Sequence, residues 1–241
     1  MEEKDFKLLD NILNEIPYAK NFPMDKYEYN CRPGSMPAPE LFTSLVNQIN
    51  PTLVIEVGSF LGYSAICMGN AMKQMGKDFR IICIDTWLQG DTFEYVKNGT
   101  TSPPWNENER KYVVNGYPTT YYQFAYNVIH NNLQNNIIPL PRTSRAAAFI
   151  LKNSLKSIKI EADMIYIDGS HEDIDAYYDC KEYWPLVKSG GLLFGDDWTW
   201  DGVESAVTTF AEENQLQIQL HSNRVHWFIK KNDNLHNTDK K

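Results

Sequence analysis

Short apolar runs recur along the chain, and they predict the strands of a parallel β-sheet. The clearest runs are Leu53–Val57, Arg80–Ile84 and Met164–Ile167. The second run leads directly into Asp85 and the third into Asp168. Short continuous apolar runs bounded by turn signals are typical of strands that are buried on both faces of a sheet. Since helical spacing separates these runs, the pattern predicts an α/β fold with crossover helices.

Apolar residues at helical spacing predict the helices that connect these strands. Such spacing is found in residues 1–20, Leu41–Ile49, the segment from Tyr63 to about Met75, Thr119–Leu133, Arg145–Lys152 and Val203–Glu213. Further strands are predicted at Ile137–Leu140, Leu192–Gly195, Gln217–Leu220 and Val225–Ile229. Gly190-Gly191 is expected to turn the chain ahead of its strand, and Thr143-Ser144 is expected to cap a helix.

Four polar side chains are expected to meet at one edge of this sheet. Strands joined by a crossover helix run parallel, so their carboxyl ends open on the same edge, where open α/β sheets bind ligands. Asp168 ends one strand, and Asp196 and Asp197 end the next. His171 follows Asp168 by three residues and is expected at the same edge of the sheet. Three carboxylates without a thiolate or a second histidine favour Mg²⁺, or Mn²⁺, over zinc.

Histidines and cysteines elsewhere in the chain indicate no second site. The remaining histidines are interpreted as ordinary helix, strand or tail residues: His130, His221, His226 and His236. The four cysteines form no C-x-x-C pair: Cys31, Cys67, Cys83 and Cys180. We expect buried free thiols rather than a disulfide framework or a zinc site.

A glycine-punctuated turn follows the first predicted strand. It runs from Gly58 through Gly62 to Ala65 and opens a helix. Glycines there allow tight turning and close backbone approach to a ligand, and the helix N-terminus faces the site. Asp85 could accept hydrogen bonds from a ribose diol at the end of the second strand. The pattern predicts a nucleoside-cofactor site. The absence of a G-x-G-x-x-G motif argues against NAD as the cofactor.

Composition and charge argue against several classes of partner. The net charge of −8 argues against a nucleic-acid backbone or an anionic membrane, because both call for a basic face. The longest apolar runs fall short of the length that spans a membrane, so membrane insertion is not expected. The acidic first ten residues lack the apolar region of a signal peptide, and a cytoplasmic location is expected.

The chain is expected to form one domain over residues 1–241, with three distinctive segments. Residues 1–50 are an N-terminal helical segment that packs on the sheet or over its mouth. Residues 86–118 are rich in aromatic side chains and are interpreted as a lid or substrate platform. Residues 231–241 are polar and read as a flexible tail. The closing pair of strands could support a homo-oligomer.

With these residues in place, the chain resembles the class I S-adenosylmethionine-dependent methyltransferases. More narrowly, it resembles the metal-dependent O-methyltransferases: the catechol O-methyltransferase group and, closer still, the macrocin-type sugar O-methyltransferases. The resemblance covers roughly residues 50–230. It implies a Rossmann-like three-layer sandwich whose seven-stranded sheet is mostly parallel, with an antiparallel C-terminal strand.

The resemblance also implies a role for each matching residue. The cofactor-binding positions it implies are Glu56, Gly58, Ser59, Gly62, Tyr63, Ser64, Asp85, Thr143, Ser144 and Asp168. Ser64 and the loop backbone would surround the methionine end, Asp85 would bind the ribose hydroxyls, and Thr143-Ser144 would touch adenine. The metal-ligand positions are Asp168, Asp196 and Asp197. His171 holds the position where catechol enzymes carry a lysine and macrocin-type enzymes a histidine general base.

This histidine makes a sugar the favoured acceptor of an S-adenosylmethionine-dependent O-methyltransferase. The acceptor would be a glycan, a polysaccharide or a glycosylated natural product, and a vicinal diol could chelate the cation. Three alternatives remain: methyl transfer to a catechol or other small phenolic, an NAD-linked Rossmann oxidoreductase, and a non-catalytic nucleoside-binding module. The third would leave the clustered aspartates without a role.

Overall fold

The computed structural model describes residues 1–13, 18, 22–31, 39–88, 112–115 and 117–232. Within these residues, helices α1 to α7 span Glu3–Ile12, Pro39–Ile49, Tyr63–Gln74, Thr120–His130, Ser144–Ile158, Asp173–Tyr183 and Asp201–Glu213. Strands β1 to β9 span Leu53–Val57, Arg80–Asp85, Val113–Val114, Tyr117–Pro118, Ile137–Pro141, Ala162–Ile167, Val187–Gly195, Gln219–Leu220 and Trp227–Lys230. Two 3₁₀ turns lie at Met24–Lys26 and Trp184–Leu186.

Seven of the strands form one mixed sheet in the order β5-β2-β1-β6-β7-β9-β8. The first five run parallel to one another, and β9 runs antiparallel to both of its neighbours. The order reverses between β1 and β6, and ligands of open α/β sheets bind at such a switch point. The predicted mostly parallel, seven-stranded sheet with an antiparallel C-terminal strand is therefore confirmed.

Helices cover both faces of the sheet and complete the three layers. Successive strand residues point to opposite faces, so Ile55 joins the core under α1, α5, α6 and α7 while Val54 joins the core under α2, α3 and α4. Leu9 of α1 and Phe42 of α2 are fully buried in these two cores. Helices α1 and α2, the described helices of the N-terminal segment, thus pack against the sheet.

The Gly190-Gly191 turn is the clearest error among the predicted elements, because both glycines lie inside β7. The pairing with β6 jumps from Ala162 opposite Val187 to Met164 opposite Leu192, which leaves the glycines in a bulge. Gly190 has a φ of +78°. A Cβ on Gly191 would lie 2.9 Å from the carbonyl oxygen of Asp163, so only glycine fits there.

Several predicted segments fall wholly or partly outside the described residues. Positions 89–111 and 116 of the predicted lid lie outside them, as do positions 233–241 of the predicted tail, which include His236. The helix predicted for residues 1–20 is described only as α1. The remaining helices match their predictions closely, except that α5 continues six residues beyond Lys152 because Leu155 is buried in the core.

Among the described residues, every helix is too short or too polar to cross a membrane. Cys83 and Cys180 are buried free thiols, Cys31 is also buried, and Cys67 is half-buried. The cytoplasmic location, the single domain and the homo-oligomer stay predictions.

Candidate active site

Three aspartates meet at the carboxyl ends of β6 and β7. Ile167 and Gly195 pair in register at the ends of these parallel strands, so the next residues, Asp168 and Asp196, lie side by side. Asp197 completes the cluster, and one carboxylate oxygen from each aspartate lies within 4.8 Å of the others. Clustered carboxylate oxygens are the donor set that Mg²⁺ or Mn²⁺ prefers.

The cluster is electrostatically unfavourable without a cation. Burial raises the pKa of the Asp168 carboxyl well above its usual range, and the negative charges of Asp196 and Asp197 raise it further. Burial and the charge of Asp197 also raise the pKa of Asp196, to about 6. The Tyr166 hydroxyl donates a hydrogen bond to Asp168 Oδ2 at 3.2 Å and offsets part of this cost. A divalent cation would remove the mutual repulsion and favour three charged carboxylates.

His171 is held against this cluster from two sides. Its Nε2 lies 2.8 Å from Asp197 Oδ2. Its ring stacks on the indole of Trp200, with ring centroids 4.5 Å apart and planes 21° apart. Asp197 adopts a left-handed φ of +59°, unusual for a residue with a side chain. The predicted neighbourhood of His171 and the three aspartates is thus present.

A second histidine, His226, which was interpreted as an ordinary strand residue, lies beside one aspartate of the cluster. Trp227 of β9 pairs with Gly195 of β7, which places His226 beside Asp196. The residue is 2% exposed, and its Nε2 lies 3.3 Å from Asp196 Oδ1. Burial, with a smaller contribution from His221, lowers the pKa of His226 to about 4, so the imidazole is neutral at pH 7.

The glycine loop after β1 closes onto the aspartate cluster. Gly58 has a φ of +86°, and its N–H donates to the carbonyl oxygen of Ile84 at 2.8 Å. A Cβ at this position would lie 1.8 Å from the carbonyl oxygen of Asp168. Gly62, with a φ of +85°, immediately precedes α3 at its N-terminus. Both glycines are therefore required by backbone geometry, and they bring the loop to the switch point.

A buried carboxylate binds the side chains of the same glycine loop. Glu56 is fully buried and accepts hydrogen bonds from the hydroxyls of Ser59, at 2.7 Å, and Ser64. The thiol of Cys83 donates to the same carboxylate at 3.3 Å. Burial raises the pKa of Glu56. Tyr63 is buried in the core beside α2. These side chains fix the shape of the loop and leave its backbone to face the site.

The carboxyl ends of β2 and β5 form the other part of the same sheet edge. Asp85 accepts hydrogen bonds from the backbone N–H groups of Phe60, at 2.8 Å, and Trp87, at 2.7 Å, and burial raises its pKa. Thr143 Oγ1 accepts from the Ala146 N–H and caps α5, as predicted. The hydroxyl of Ser144 donates to Asp179 inside the protein.

A family model described as a methyltransferase domain matches residues 55–198, which is more than half of the chain. The chain belongs to this methyltransferase family. The match includes the glycine loop, Asp85 and all three aspartates of the cluster, and it argues against the NAD-linked alternative. No curated protein matches the chain in sequence.

Solved structures show that the methyltransferase fold extends over nearly the whole chain. CalS11, a TDP-rhamnose 3'-O-methyltransferase of calicheamicin biosynthesis, is 14% identical with a TM-score of 0.56, covering 95% of this chain and 93% of that one. An O-methyltransferase from Bacillus cereus in complex with SAH is 15% identical, with a TM-score of 0.50 and coverages of 95% and 90%. TomG from Streptomyces achromogenes, in complex with SAM, is 14% identical, with a TM-score of 0.50 and coverages of 96% and 99%.

Three residues that contact the aspartate cluster or His171 were missed in the sequence, and two of them left a signal. Tyr166 precedes Asp168 by two residues, so strand alternation points both side chains to the same face. His226 immediately precedes β9, and an antiparallel neighbour of β7 must start where β7 ends. Trp200 follows Asp197 by three residues, but nothing in that spacing indicates a stack on His171.

Gly58→Ala is expected to lower the free energy of unfolding by about 3 kcal/mol or more. The new methyl group would clash with the carbonyl oxygen of Asp168, which lies 1.8 Å from the Cβ position. The left-handed backbone at this position adds strain. Gly76→Ala is the matched control, since Gly76 has a φ of +67° and open space around its Cβ position. The control should lose only about 1 kcal/mol in urea denaturation. Equal losses at the two positions would contradict the close approach.

Proposed function

We propose that this methyltransferase transfers the methyl group of S-adenosylmethionine to a sugar hydroxyl, with a divalent cation held by Asp168, Asp196 and Asp197. The observation that carries the proposal is the meeting of three carboxylates and the His171–Asp197 pair beside the glycine loop. The likeness to CalS11, which acts on a TDP-linked sugar, supports a sugar acceptor. The likeness to proteins crystallised with SAM and SAH supports the methyl donor.

The cofactor would lie along the carboxyl edge between β1, β2 and β5. The backbone of Gly58 to Gly62 would approach its methionine end, because side chains there turn inward to Glu56. Asp85 would accept the ribose hydroxyls, and Thr143 and Ser144 would border the adenine. The loop's glycines suit this role, since they permit close backbone approach.

The acceptor hydroxyl is the demanding partner in this reaction. A sugar hydroxyl stays protonated at neutral pH, whereas the sulfonium already activates the methyl group. When bound, Mg²⁺ or Mn²⁺ would act as a Lewis acid that lowers the pKa of the hydroxyl. The raised pKa of Asp168 indicates that its cluster needs positive charge to be fully ionised. A vicinal diol suits such a site because it offers two oxygens.

His171 would receive the proton that the acceptor loses. If Nε2–H donates to Asp197, the lone pair of the neutral ring resides on Nδ1, which is the basic atom. A carboxylate that orients an imidazole in this way is a recurring device of general-base catalysis. The oxygen then forms its bond to the methyl carbon as the carbon–sulfur bond breaks, and the proton remains on His171. Trp200 keeps the ring from rotating away.

Chelation is the direct test of this function. Excess EDTA is expected to reduce methyl transfer to a diol-bearing sugar by about 10²-fold or more, and added Mg²⁺ or Mn²⁺ should restore it. Calorimetry in EDTA should still detect S-adenosylmethionine binding and no binding of NAD. Full turnover in chelator would remove the metal from the proposal. Binding of the cofactor without turnover on sugars or phenolics would favour a non-catalytic module.

A further inference from the structure

The buried indole of Trp87 connects the glycine loop to the end of β2. Its Nε1–H donates a hydrogen bond to the carbonyl oxygen of Phe60 at 2.7 Å. The backbone N–H of Trp87 donates to Asp85 Oδ1 at 2.7 Å, and the backbone N–H of Phe60 donates to Asp85 Oδ2 at 2.8 Å. Asp85, Phe60 and Trp87 therefore form a closed cycle of three hydrogen bonds.

This cycle holds two aromatic residues in an unfavourable backbone conformation. Phe60 has a φ of +39°, and Trp87 has a φ of +52°. Left-handed backbone is uncommon for residues with bulky side chains, because the Cβ atom crowds the neighbouring carbonyl group. Such strain persists only where surrounding contacts enforce it, and it concentrates at functional sites. Without the indole hydrogen bond, the loop at Phe60 would populate other conformations.

Helix α4 holds the adjacent peptide group of the loop. The fully buried Asn127 donates from Nδ2 to the carbonyl oxygen of Leu61 at 2.9 Å. The Trp87 ring packs on Phe124 of the same helix, with ring centroids 4.8 Å apart. Phe124 also confines the loop, because a Cβ on Gly62 would lie 3.0 Å from its ring. Two consecutive carbonyl groups of the loop are thus bound by side chains from outside it.

We propose that Trp87 is a positioning residue for the methyl donor, whose indole N–H holds the glycine loop and Asp85 in the relative arrangement that binds S-adenosylmethionine. The inference rests on the cofactor site of the proposed function and adds to it the residue that preorganises that site. The loop would meet the methionine end and Asp85 the ribose, so one cofactor needs both in register. When the competent conformation is less populated, the ligand binds more weakly by that fraction. Trp87 therefore acts on donor affinity and not on the chemical step.

Calorimetry with S-adenosylhomocysteine tests this role without requiring turnover. Trp87→Phe keeps an aromatic ring but removes the N–H, and we expect it to weaken binding by about 10–30-fold. Replacing the indole by the isosteric benzothiophene removes the N–H with little change in ring size, and it should give the same loss. Trp184→Phe is the matched control, because Trp184 packs against the core on the opposite face of the sheet. Its affinity should stay within about twofold of the wild type.

The isosteric variant keeps this test decisive if Trp87→Phe fails to fold, which urea denaturation would show. A benzothiophene variant that binds S-adenosylhomocysteine within about twofold of the wild type would overturn the role of Trp87 and leave the proposed function intact. A wild type that does not bind S-adenosylhomocysteine would overturn both.

Steady-state kinetics separates a positioning role from a merely structural one. In Trp87→Phe, the KM for S-adenosylmethionine should rise by about 10–30-fold, whereas kcat at saturating donor and the KM for the acceptor should change by less than about threefold. A structural role would lower the free energy of unfolding and leave the KM for the donor unchanged. That result, or a loss in kcat as large as the rise in KM, would overturn the assignment.

Discussion

An Asp168→Asn variant is expected to lose divalent-cation binding and about 10³-fold or more of its methyl-transfer activity. Asp168 lies between Asp196 and the glycine loop, and the charges of the other two aspartates raise the pKa of its half-buried carboxyl. Asparagine preserves the shape but removes the charge that a cation needs. Metal-assisted activation contributes several kcal/mol, and each 1.4 kcal/mol is worth about tenfold in rate. Titration with Mn²⁺ and initial rates on a sugar acceptor would measure both losses.

The same substitution is expected to stabilise the metal-free protein. The folded-state pKa of Asp168 lies above its unfolded value, so this carboxyl favours folding at low pH and loses that contribution as the pH rises. Asparagine has no carboxyl to ionise, so this destabilisation at neutral pH disappears. Urea denaturation at pH 7 in EDTA should show a free energy of unfolding that is higher by roughly 1–2 kcal/mol. Asp78→Asn, a change at an exposed residue at the opposite end of the sheet, should alter neither Mn²⁺ binding nor the free energy of unfolding. A destabilised Asp168→Asn variant that still binds Mn²⁺ would contradict the assignment.

These opposite effects on activity and stability describe how the site is built. Parallel pairing of β6 and β7 brings Asp168 and Asp196 together whether or not a cation is present. The hydrophobic cores on both faces of the sheet supply the free energy that holds the carboxylates close despite their repulsion. Relief of this repulsion would contribute to the binding energy of the proposed cation. The stability of the fold is thus partly used to prepare the site.

The features that depend on local pattern were the ones that the sequence could predict. Leu53–Val57 is a strand with the predicted ends, because its apolar run stops at a glycine that must turn. The convergence of Asp168, Asp196 and Asp197 followed from one topological rule about parallel strands. Thr143 was recognisable as a cap because a hydroxyl before a helical run satisfies its first N–H groups.

The features that depend on partners from distant segments were missed. Gly190 belongs to a bulge because its N–H donates to the carbonyl oxygen of Lys231, at 2.7 Å, and no local signal shows that contact. His226 lies beside Asp196 only through the register between β7 and β9. The inward turn of Ser59 and Ser64 to Glu56 also needs coordinates, since serines in a glycine loop could equally face a ligand.

A His171→Ala variant is expected to lose about 10²–10⁴-fold in turnover on a sugar while keeping its affinity for S-adenosylmethionine within about threefold. The imidazole touches Asp197 and Trp200, and the glycine loop and Asp85 belong to other strand ends. A general base should therefore affect the chemical step without affecting cofactor binding. Single-turnover rates and calorimetry separate the two quantities, and His130→Ala, an exposed change in α4, serves as the control.

The acceptor decides how much this loss matters, and this dependence distinguishes a sugar enzyme from a phenol enzyme. A phenol is acidic enough for the cation to ionise it with little help, so His171→Ala and His171→Lys should retain more activity on a catechol than on a sugar diol. The ratio of sugar to catechol rates should therefore fall in both variants. If the wild type prefers the catechol and both variants keep its ratio, His171 has only a structural role. The phenolic alternative would then describe this methyltransferase better.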